Sequence, residues 1–338
     1  MKCAIYGAGS LGTILGAYLT MGGVDVDLVN RNRAHIEALK KTGAAVAGTV
    51  QMTVPVNALL PEEMTGTYDV IFLLTKQTEN KTVAEFLKPR LKESGVICTL
   101  QNGLPEPLLA EIAGDEAVLG CVVEWGATLV SPGVAELTSA PDCLTFSLGG
   151  IKKRSDGKLE EVKTILEKMG PVTVEDNWPG TRFAKLLINA AFSGVSTVAG
   201  TTFGEAAKDK ASRTCIQKVI KECIDVARAA GIAIAPMQSK DIVKLMDYNN
   251  PVKKKIAFFI IPLAIKRHAL LKPSMLQDIE KGKKTEVDFI NGAINALGKK
   301  HHVPTPFNDK VVSLIHEIEE GRRTPGRDNI RELLSAKP

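Results

Sequence analysis

The chain has 338 residues, a length that favours two domains of roughly 100–200 residues each. Hydrophobic residues make up 44% of it and charged residues 24%, which excludes collagen, coiled-coil arrays and gross disorder. A net charge of +5 with 5% aromatic residues predicts no nucleic-acid partner but suits an anionic small molecule.

Neither a signal peptide nor a membrane span is expected. The N-terminus carries one Lys before a short strand-like run, and the longest apolar run, residues 256–265, is about half a membrane span. The six cysteines are scattered without a C-x-x-C pair, which favours reduced thiols and predicts no metal site. These features predict a cytoplasmic protein. The run 256–265 is either a homodimer surface or core, and core is favoured.

The first half of the chain alternates strand and helix signals. Strands are predicted at residues 2–6, 24–29, 69–74 and 95–100, and helices at 10–21, 34–41 and 82–91. This rhythm predicts an α/β fold with a Rossmann-type, doubly wound parallel sheet. Strands within 118–150 are predicted to extend the same sheet in the antiparallel sense.

The second half has almost only helical patterns. Trp178-Pro179-Gly180 predicts a break in the chain, so we expect one domain at residues 1–177 and a second, all-helical domain at 178–338. Helices are predicted at residues 181–199, 208–230, 275–297 and 307–319. The charged tail from residue 320 is predicted to lie on the surface or to fray.

Gly7-Ala8-Gly9-Ser10-Leu11-Gly12, called here the glycine turn, follows a predicted strand and opens a helix. That context is the one the dinucleotide-binding fingerprint requires. Gly7 permits the tight turn, Gly9 lets a pyrophosphate approach, and Gly12 lets the helix pack on the strand. The alternative is a glycine-rich turn without a ligand.

The end of the second strand indicates which dinucleotide binds. An NAD enzyme usually places Asp or Glu there, but this strand ends in Asn30-Arg31. A guanidinium pairs well with a 2′-phosphate, which favours NADPH over NADH. Lys76 and Asn102 follow two neighbouring strands, at the edge where ligands of such sheets bind. Alternatively, Lys76 is an exposed surface charge and Asn102 is part of a simple Asn-Gly turn.

Three polar residues in the helical half, Lys185, Asn189 and Ser193, are spaced four apart and are predicted to share one helix face. A Lys within an apolar helix is costly to bury, and such burial would make it a competent proton donor. The alternative, slightly favoured by physical chemistry alone, is a Lys that extends to solvent. Ser274 and Glu286 also have purely structural interpretations. Ser274 would cap a helix, with Gln277 completing a capping box, and Glu286 would form an ion pair with a neighbouring Lys.

The sequence resembles the ketopantoate reductase (2-dehydropantoate 2-reductase) family over nearly its whole length. The resemblance runs from IYGAGSLG at residues 5–12 to PSMLQDIEKGKKTEVDFING at 273–292, and the second stretch is the more specific marker. It implies NADPH-dependent reduction of a 2-oxo acid in pantothenate and coenzyme A biosynthesis, with pantoate as the best-known product. It also implies a helical domain of the 6-phosphogluconate dehydrogenase type.

The resemblance implies a role for each candidate residue. Lys185 is the proton donor, and Glu286, the second catalytic residue, lies against the nicotinamide ribose. The implied substrate-binding residues are Asn102, Lys185, Asn189, Ser193 and Ser274. The implied cofactor-binding residues are Gly7, Ala8, Gly9, Ser10, Leu11, Gly12, Asn30, Arg31, Lys76, Asn102, Ala127 and Glu286.

Three departures from the family pattern are expected on the substrate side. Ser193 stands where members carry Asn, Trp125 adds bulk before Gly126-Ala127, and residues 241–272 are longer than in compact members. They leave open another 2-oxo or D-2-hydroxy acid as the substrate. A non-catalytic nucleotide-binding regulator is the alternative from another class. The joint presence of Lys185, Asn102 and Glu286 argues against it, because a sensor would not need the acid.

Overall fold

The computed structural model describes residues 1–152, 157–237 and 240–337. Within these ranges the chain forms two compact units. The first contains Met1–Gln101 and Pro105–Trp178, and the second contains Asn102–Leu104 and the chain from Pro179 onward. Compared with the predicted division at 177/178, the second unit starts one residue later and also includes the short segment Asn102–Leu104. No helix in the described part of the chain is long and apolar enough to cross a membrane.

The first unit is built on an eight-stranded sheet. In spatial order its strands are β12 (Val172–Val174), β11 (Phe146–Gly150), β8 (Val118–Val123), β7 (Leu91–Thr99), β6 (Tyr68–Leu73), β1 (Lys2–Tyr6), β2 (Asp25–Val29) and β5 (Asn57–Leu59). Only β11 and β8 pair antiparallel among these neighbours. The chain winds outward from β1 to β2 on one side and to β6 on the other, which is the Rossmann-type order. The predicted fold class is confirmed.

The helices of the first unit cover both faces of this sheet. They are α1 (Ser10–Met21), α2 (Arg33–Thr42), α3 (Asn80–Leu87), α4 (Glu106–Ala113) and α5 (Lys158–Leu166). Because successive strand residues point to opposite faces, β6 sends Phe72 into the core shared with α1 and α5, and Leu73 into the core shared with α3 and α4. Burial on both faces explains why its sequence is almost entirely apolar.

The prediction that residues 118–150 only extend the main sheet is wrong in part. β8 and β11 do extend it, but the hairpin between them joins a separate four-stranded sheet. That sheet contains β4 (Met52–Val54), β3 (Ala44–Gly48), β10 (Val134–Leu137) and β9 (Ala127–Ser131). β10 pairs in parallel with β3, a partner about 90 residues earlier in the chain that local patterns do not reveal.

The second unit is helical in its described part. Its helices are α6 (Trp178–Ile188), α7 (Val195–Ala199), α8 (Phe203–Lys208), α9 (Lys210–Ala229), α10 (Ile242–Met246), α11 (Pro251–Ala264), α12 (Ser274–Glu280), α13 (Val287–Lys300), α14 (Pro306–Glu319) and α15 (Arg327–Leu334). Between α6 and α7 lies a π-helical segment, Asn189–Gly194, called here the π segment. The apolar face of α9, with Ile216, Val219 and Cys223 fully buried, contributes to the core.

Three helix predictions are corrected. Trp178-Pro179-Gly180 forms the first turn of α6 rather than a break, since Pro near a helix N-terminus loses no hydrogen bond. The helix expected at 275–297 is two helices, α12 and α13, because Gly282 takes a positive φ of 63° between them. The tail forms α15, which buries Ile330 and Leu333.

The apolar run 256–265 is core on only one face. It lies mostly in α11, where Ala257 and Ile261 are fully buried. The opposite face carries an apolar stripe that is 53–70% exposed and consists of Val252, Ile256, Phe259 and Leu263. The preference for core is therefore wrong for that face of α11.

Candidate active site

The glycine turn has the geometry that its sequence predicts. Gly7 has φ of 107°, and a Cβ there would lie 2.5 Å from Thr75 N, so no other residue fits. A Cβ on Gly12 would lie 2.6 Å from Gly7 O, which confirms its role in close packing of α1. At Gly9 the only atom within 4 Å of a Cβ is Gly7 O at 3.9 Å. The space at Gly9 is thus open in front of the N-terminus of α1, where N–H groups attract anions.

The glycine turn lies at the point where the strand order reverses. It follows β1, while Leu74, Thr75 and Lys76 follow the neighbouring β6. Ligands of doubly wound sheets bind at the carboxyl ends of such strands. Thr75 Oγ1 is buried there without a hydrogen-bond partner, and Lys76 is half-buried just before a short turn, Gln77–Glu79. An open glycine backbone beside an orphaned hydroxyl fits the pyrophosphate of a dinucleotide.

The predicted 2′-phosphate site follows β2. Asn30 Oδ1 accepts a hydrogen bond from Asn32 N at 2.9 Å, which shapes the turn into α2. Arg31 is 67% exposed and forms an ion pair with Glu79 at 2.5 Å. Exposed ion pairs contribute about 0–1 kcal/mol, so a phosphate can replace this partner at little cost. Asn30 and Arg31 are placed at the strand end that the sequence indicated.

Ala127 and Trp125 flank Gly126 at the start of β9. The amide of Gly126 donates to Ser139 Oγ at 2.9 Å, which fixes the backbone next to Ala127. The indole of Trp125 is 5% exposed and packs edge-on against Phe146 in the core of the first unit. The prediction that Trp125 adds bulk on the substrate side is therefore wrong, because its bulk fills the core.

The second unit brings together part of the predicted substrate site. Lys185 lies on the last turns of α6, and Asn189 and Ser193 lie on the π segment. Asn189 Nδ2 donates to Asn102 Oδ1 at 3.1 Å, so two residues 87 positions apart are in direct contact. Lys185 and Asn189 are half-buried, whereas Ser193 is 5% exposed.

The remaining two predicted residues stand at helix starts. Ser274 is the first residue of α12, but Pro273 occupies the cap position, so the alternative of a Ser274 cap is wrong. Gln277 instead donates to Lys272 O at 3.2 Å. Glu286 occupies the N-cap position of α13 without a side-chain cap bond and is half-buried. Both α12 and α13 pack against the π segment, so these helix starts belong to the same part of the unit.

Two polar networks behind the glycine turn are absent from the prediction. Gln101 is 5% exposed, and its amide donates to Thr75 O and Asn80 Oδ1, both at 2.7 Å. It thereby joins the ends of β6 and β7. From the sequence, the triplet Gln101-Asn102-Gly103 indicated only Asn102 as a candidate site residue. The structural role of Gln101 is visible only from its hydrogen bonds in the fold.

The second network centres on His35. Its Nδ1 accepts from Gly133 N at 3.0 Å, so the remaining ring proton is on Nε2, which lies 3.1 Å from Thr13 Oγ1. Burial lowers the pKa of His35, which keeps the ring neutral. Thr13 Oγ1 in turn donates to Ala8 O in the glycine turn at 3.4 Å. No group of three metal-ligating side chains occurs among the described residues.

The strand order, the open glycine turn and the orphaned hydroxyl define a dinucleotide-binding α/β protein. Family models agree: residues 3–148 match "Ketopantoate reductase PanE/ApbA" and residues 177–319 match "Ketopantoate reductase PanE/ApbA C terminal". The chain therefore belongs to the ketopantoate reductase family and is an oxidoreductase with a nicotinamide cofactor.

Individual relatives support this assignment. The chain is 30% identical to a 2-dehydropantoate 2-reductase of Archaeoglobus fulgidus, over 95% of this chain and 98% of that protein. A ketopantoate reductase structure from Ralstonia eutropha JMP134 is 25% identical with a TM-score of 0.80, covering 95% and 99% of the two chains. A D-mandelate dehydrogenase, 24% identical with a TM-score of 0.81 and coverage of 95% and 99%, shares the fold.

Proposed function

We propose that the protein reduces 2-dehydropantoate (ketopantoate) to pantoate with NADPH, a step of pantothenate and coenzyme A biosynthesis. The observation that carries the proposal is the Asn189–Asn102 hydrogen bond next to Lys185. The amides of Asn189 and Asn102 and the ammonium of Lys185 suit a 2-oxo acid that also carries a distal hydroxyl. The relatives that cover almost the whole chain bear the name of this activity.

The first unit supplies the cofactor groups. The pyrophosphate would lie on the glycine turn, where Gly9 leaves space and the N–H groups of α1 point outward. Arg31 would exchange Glu79 for the 2′-phosphate, which favours NADPH over NADH. Asn30, Lys76 and Ala127 are the other proposed cofactor-binding residues of this unit. When bound, the nicotinamide supplies a hydride to the carbonyl carbon.

The second unit supplies the groups that handle charge and protons. Lys185, as an ammonium, stabilises the negative charge that develops on the carbonyl oxygen and donates a proton to it from Nζ. Asn102, Asn189 and Ser193 hold the distal end of the substrate, and Ser274 binds its carboxylate side. Glu286 is the second catalytic residue and pairs with the Lys185 ammonium.

Two variants test the role of Lys185. Lys185→Ala should keep the wild-type Kd for NADPH while kcat with ketopantoate falls at least 100-fold, since a general acid contributes about 10²–10⁴. Lys185→Arg keeps the positive charge but does not release its proton near neutral pH, so it should recover only part of kcat. Wild-type kcat in Lys185→Ala would remove Lys185 from the mechanism.

A second substrate class is favoured by one observation. Ser193 is shorter than the Asn that the family pattern carries, and it lies buried in the π segment. Another 2-oxo or D-2-hydroxy acid is therefore the second candidate. Comparing kcat/KM for ketopantoate with a panel of 2-oxo acids decides between them, and a protein that binds NADPH but reduces none of them would be a nucleotide-binding regulator.

We also propose that the protein is a cytoplasmic homodimer. None of the six cysteines, all in the described part of the chain, is in a disulfide. The apolar stripe on α11 is the exposed surface that a second copy would cover. Phe259→Glu should convert the dimer to a monomer in light scattering, and a monomeric wild-type protein would refute the dimer.

A further inference from the structure

The π segment has an unusual hydrogen-bond pattern at its end. π-helices are rare, and their i→i+5 bonds appear mostly as single turns within α-helices. Val195, the residue after the π segment, donates its N–H to the carbonyls of Ala191 and Phe192. These acceptors are the carbonyls four and three residues earlier, so the π pattern ends here and α7 begins. At such a change of helix type, a donor from outside the helix can favour one hydrogen-bond pattern over the other.

Asn291 on α13 supplies that donor. Its side chain is fully buried, and Nδ2 donates to Ala190 O at 3.1 Å. Gly194 makes this approach possible, because a Cβ there would lie 2.8 Å from Asn291 Oδ1 and 3.0 Å from Nδ2. The glycine and the amide thus form a matched pair across the two helices.

The orientation of the Asn291 amide is fixed from behind. Glu222 on α9 accepts hydrogen bonds from Phe307 N at 2.8 Å and from Asn308 Nδ2 at 2.8 Å. Since Asn308 points its NH₂ group at a carboxylate, its Oδ1 faces Asn291 and accepts from Nδ2 at 2.9 Å. The NH₂ group of Asn291 must then face Asn308. The same NH₂ group donates its second hydrogen to Ala190 O.

We propose that Asn291, oriented by Asn308 and Glu222, is a positioning residue that holds the π segment in its π-helical form and so places Asn189 and Ser193 relative to Lys185. In an ideal α-helix, residue i+8 is rotated by about 80° from residue i. A π turn rotates less per residue, which brings Ser193 back toward the line of Lys185. The proposal rests on the proposed function, in which Asn189 and Ser193 hold the distal hydroxyl of the substrate.

Loss of the amide has a specific structural consequence. Without Asn291 Nδ2, Ala190 O loses its hydrogen bond to α13. The helix can recover that bond if Gly194 N donates to Ala190 O in the α-helical i→i−4 pattern. Asn291→Ala should therefore convert the π segment to α-helix and rotate Ser193 away from Lys185.

The test compares two substrates in three variants. Ketopantoate is assayed against 3,3-dimethyl-2-oxobutanoate, the same acid without the hydroxyl. Asn291→Ala and Gly194→Ala should lower kcat/KM for ketopantoate at least tenfold more than for the analogue, with NADPH Kd unchanged within twofold. Asn295→Ala is the matched control on α13, because its Oδ1 is buried without a partner and its loss should leave the ratio unchanged.

A crystal structure of the Asn291→Ala protein is the second readout and does not depend on activity. An α-helical 189–194 segment supports the proposal, and a retained π segment overturns it, even if neither acid proves to be a substrate. An equal fall of kcat/KM for both acids, in step with a lower melting temperature, would also overturn it, since that indicates a structural role only.

Discussion

Substitution of Gly9 and of Gly12 should separate cofactor binding from stability within a single turn. A methyl at Gly9 meets no atom closer than Gly7 O at 3.9 Å, and φ at Gly9 is −87°, outside the left-handed region. Gly9→Ala should change the free energy of unfolding by no more than about 1 kcal/mol. The same methyl takes the space assigned to the pyrophosphate, so NADPH affinity should fall at least tenfold, or about 1.4 kcal/mol.

Gly12→Ala should show the opposite pattern. Its methyl would lie 2.6 Å from Gly7 O and 3.0 Å from Ile5 Cγ2, both in the packed interior. Overpacking of this kind costs about 1–3 kcal/mol of unfolding free energy. Urea denaturation at fixed pH measures stability, and fluorescence titration with NADPH measures affinity. Wild-type NADPH affinity in Gly9→Ala, or equal losses of stability in both variants, would refute the assignment of the phosphate site.

Two further predictions concern charge. Arg31→Ala should weaken NADPH about ten- to 100-fold, because a hydrogen bond to a charged group contributes about 1.5–3 kcal/mol, and should leave NADH within twofold. Arg33→Ala is the control, because Arg33 is 68% exposed and pairs with Glu62 at the far end of the same turn. Equal losses of affinity for NADPH and NADH in Arg31→Ala would contradict the 2′-phosphate site. Desolvation raises the pKa of Glu222 from 4.5 to about 7, so its stabilising contribution is complete below pH 4.5 and is lost as pH rises through 7. Urea titrations from pH 4.5 to 8 should show a fall of up to about 3 kcal/mol that Glu222→Gln flattens, and an identical slope in both proteins would exclude Glu222 as its source.

Much of the first unit could be predicted from its sequence because its signals are local. The apolar strand β6 and the strand–glycine–helix context of residues 1–21 each depend on short segments, and the doubly wound fold class followed from them. The second sheet could not be predicted, because β3 and β10 pair across some 90 residues. Trp178-Pro179-Gly180 was misread, since a Pro that breaks a helix in its interior is favourable in its first turn.

The candidate site shows the same division. The i, i+4 spacing indicated Lys185, Asn189 and Ser193, and strand-end positions indicated Asn102. The hydrogen bond between Asn102 and Asn189 was not predicted and is seen only in the structure. The π segment has no such pattern, because it depends on an amide from α13 that lies about 100 residues later in the chain. Its effect on the placement of Ser193 is therefore a property of tertiary packing.

The most direct test of the proposed activity is the initial rate of NADPH oxidation with ketopantoate, measured for the wild-type protein and for Lys185→Ala. We predict saturable oxidation with a higher kcat/KM for ketopantoate than for other 2-oxo acids, and a loss of at least 100-fold in kcat for the variant with NADPH affinity retained. The absence of NADPH oxidation with every 2-oxo acid tested, by a protein that still binds NADPH, would contradict the account.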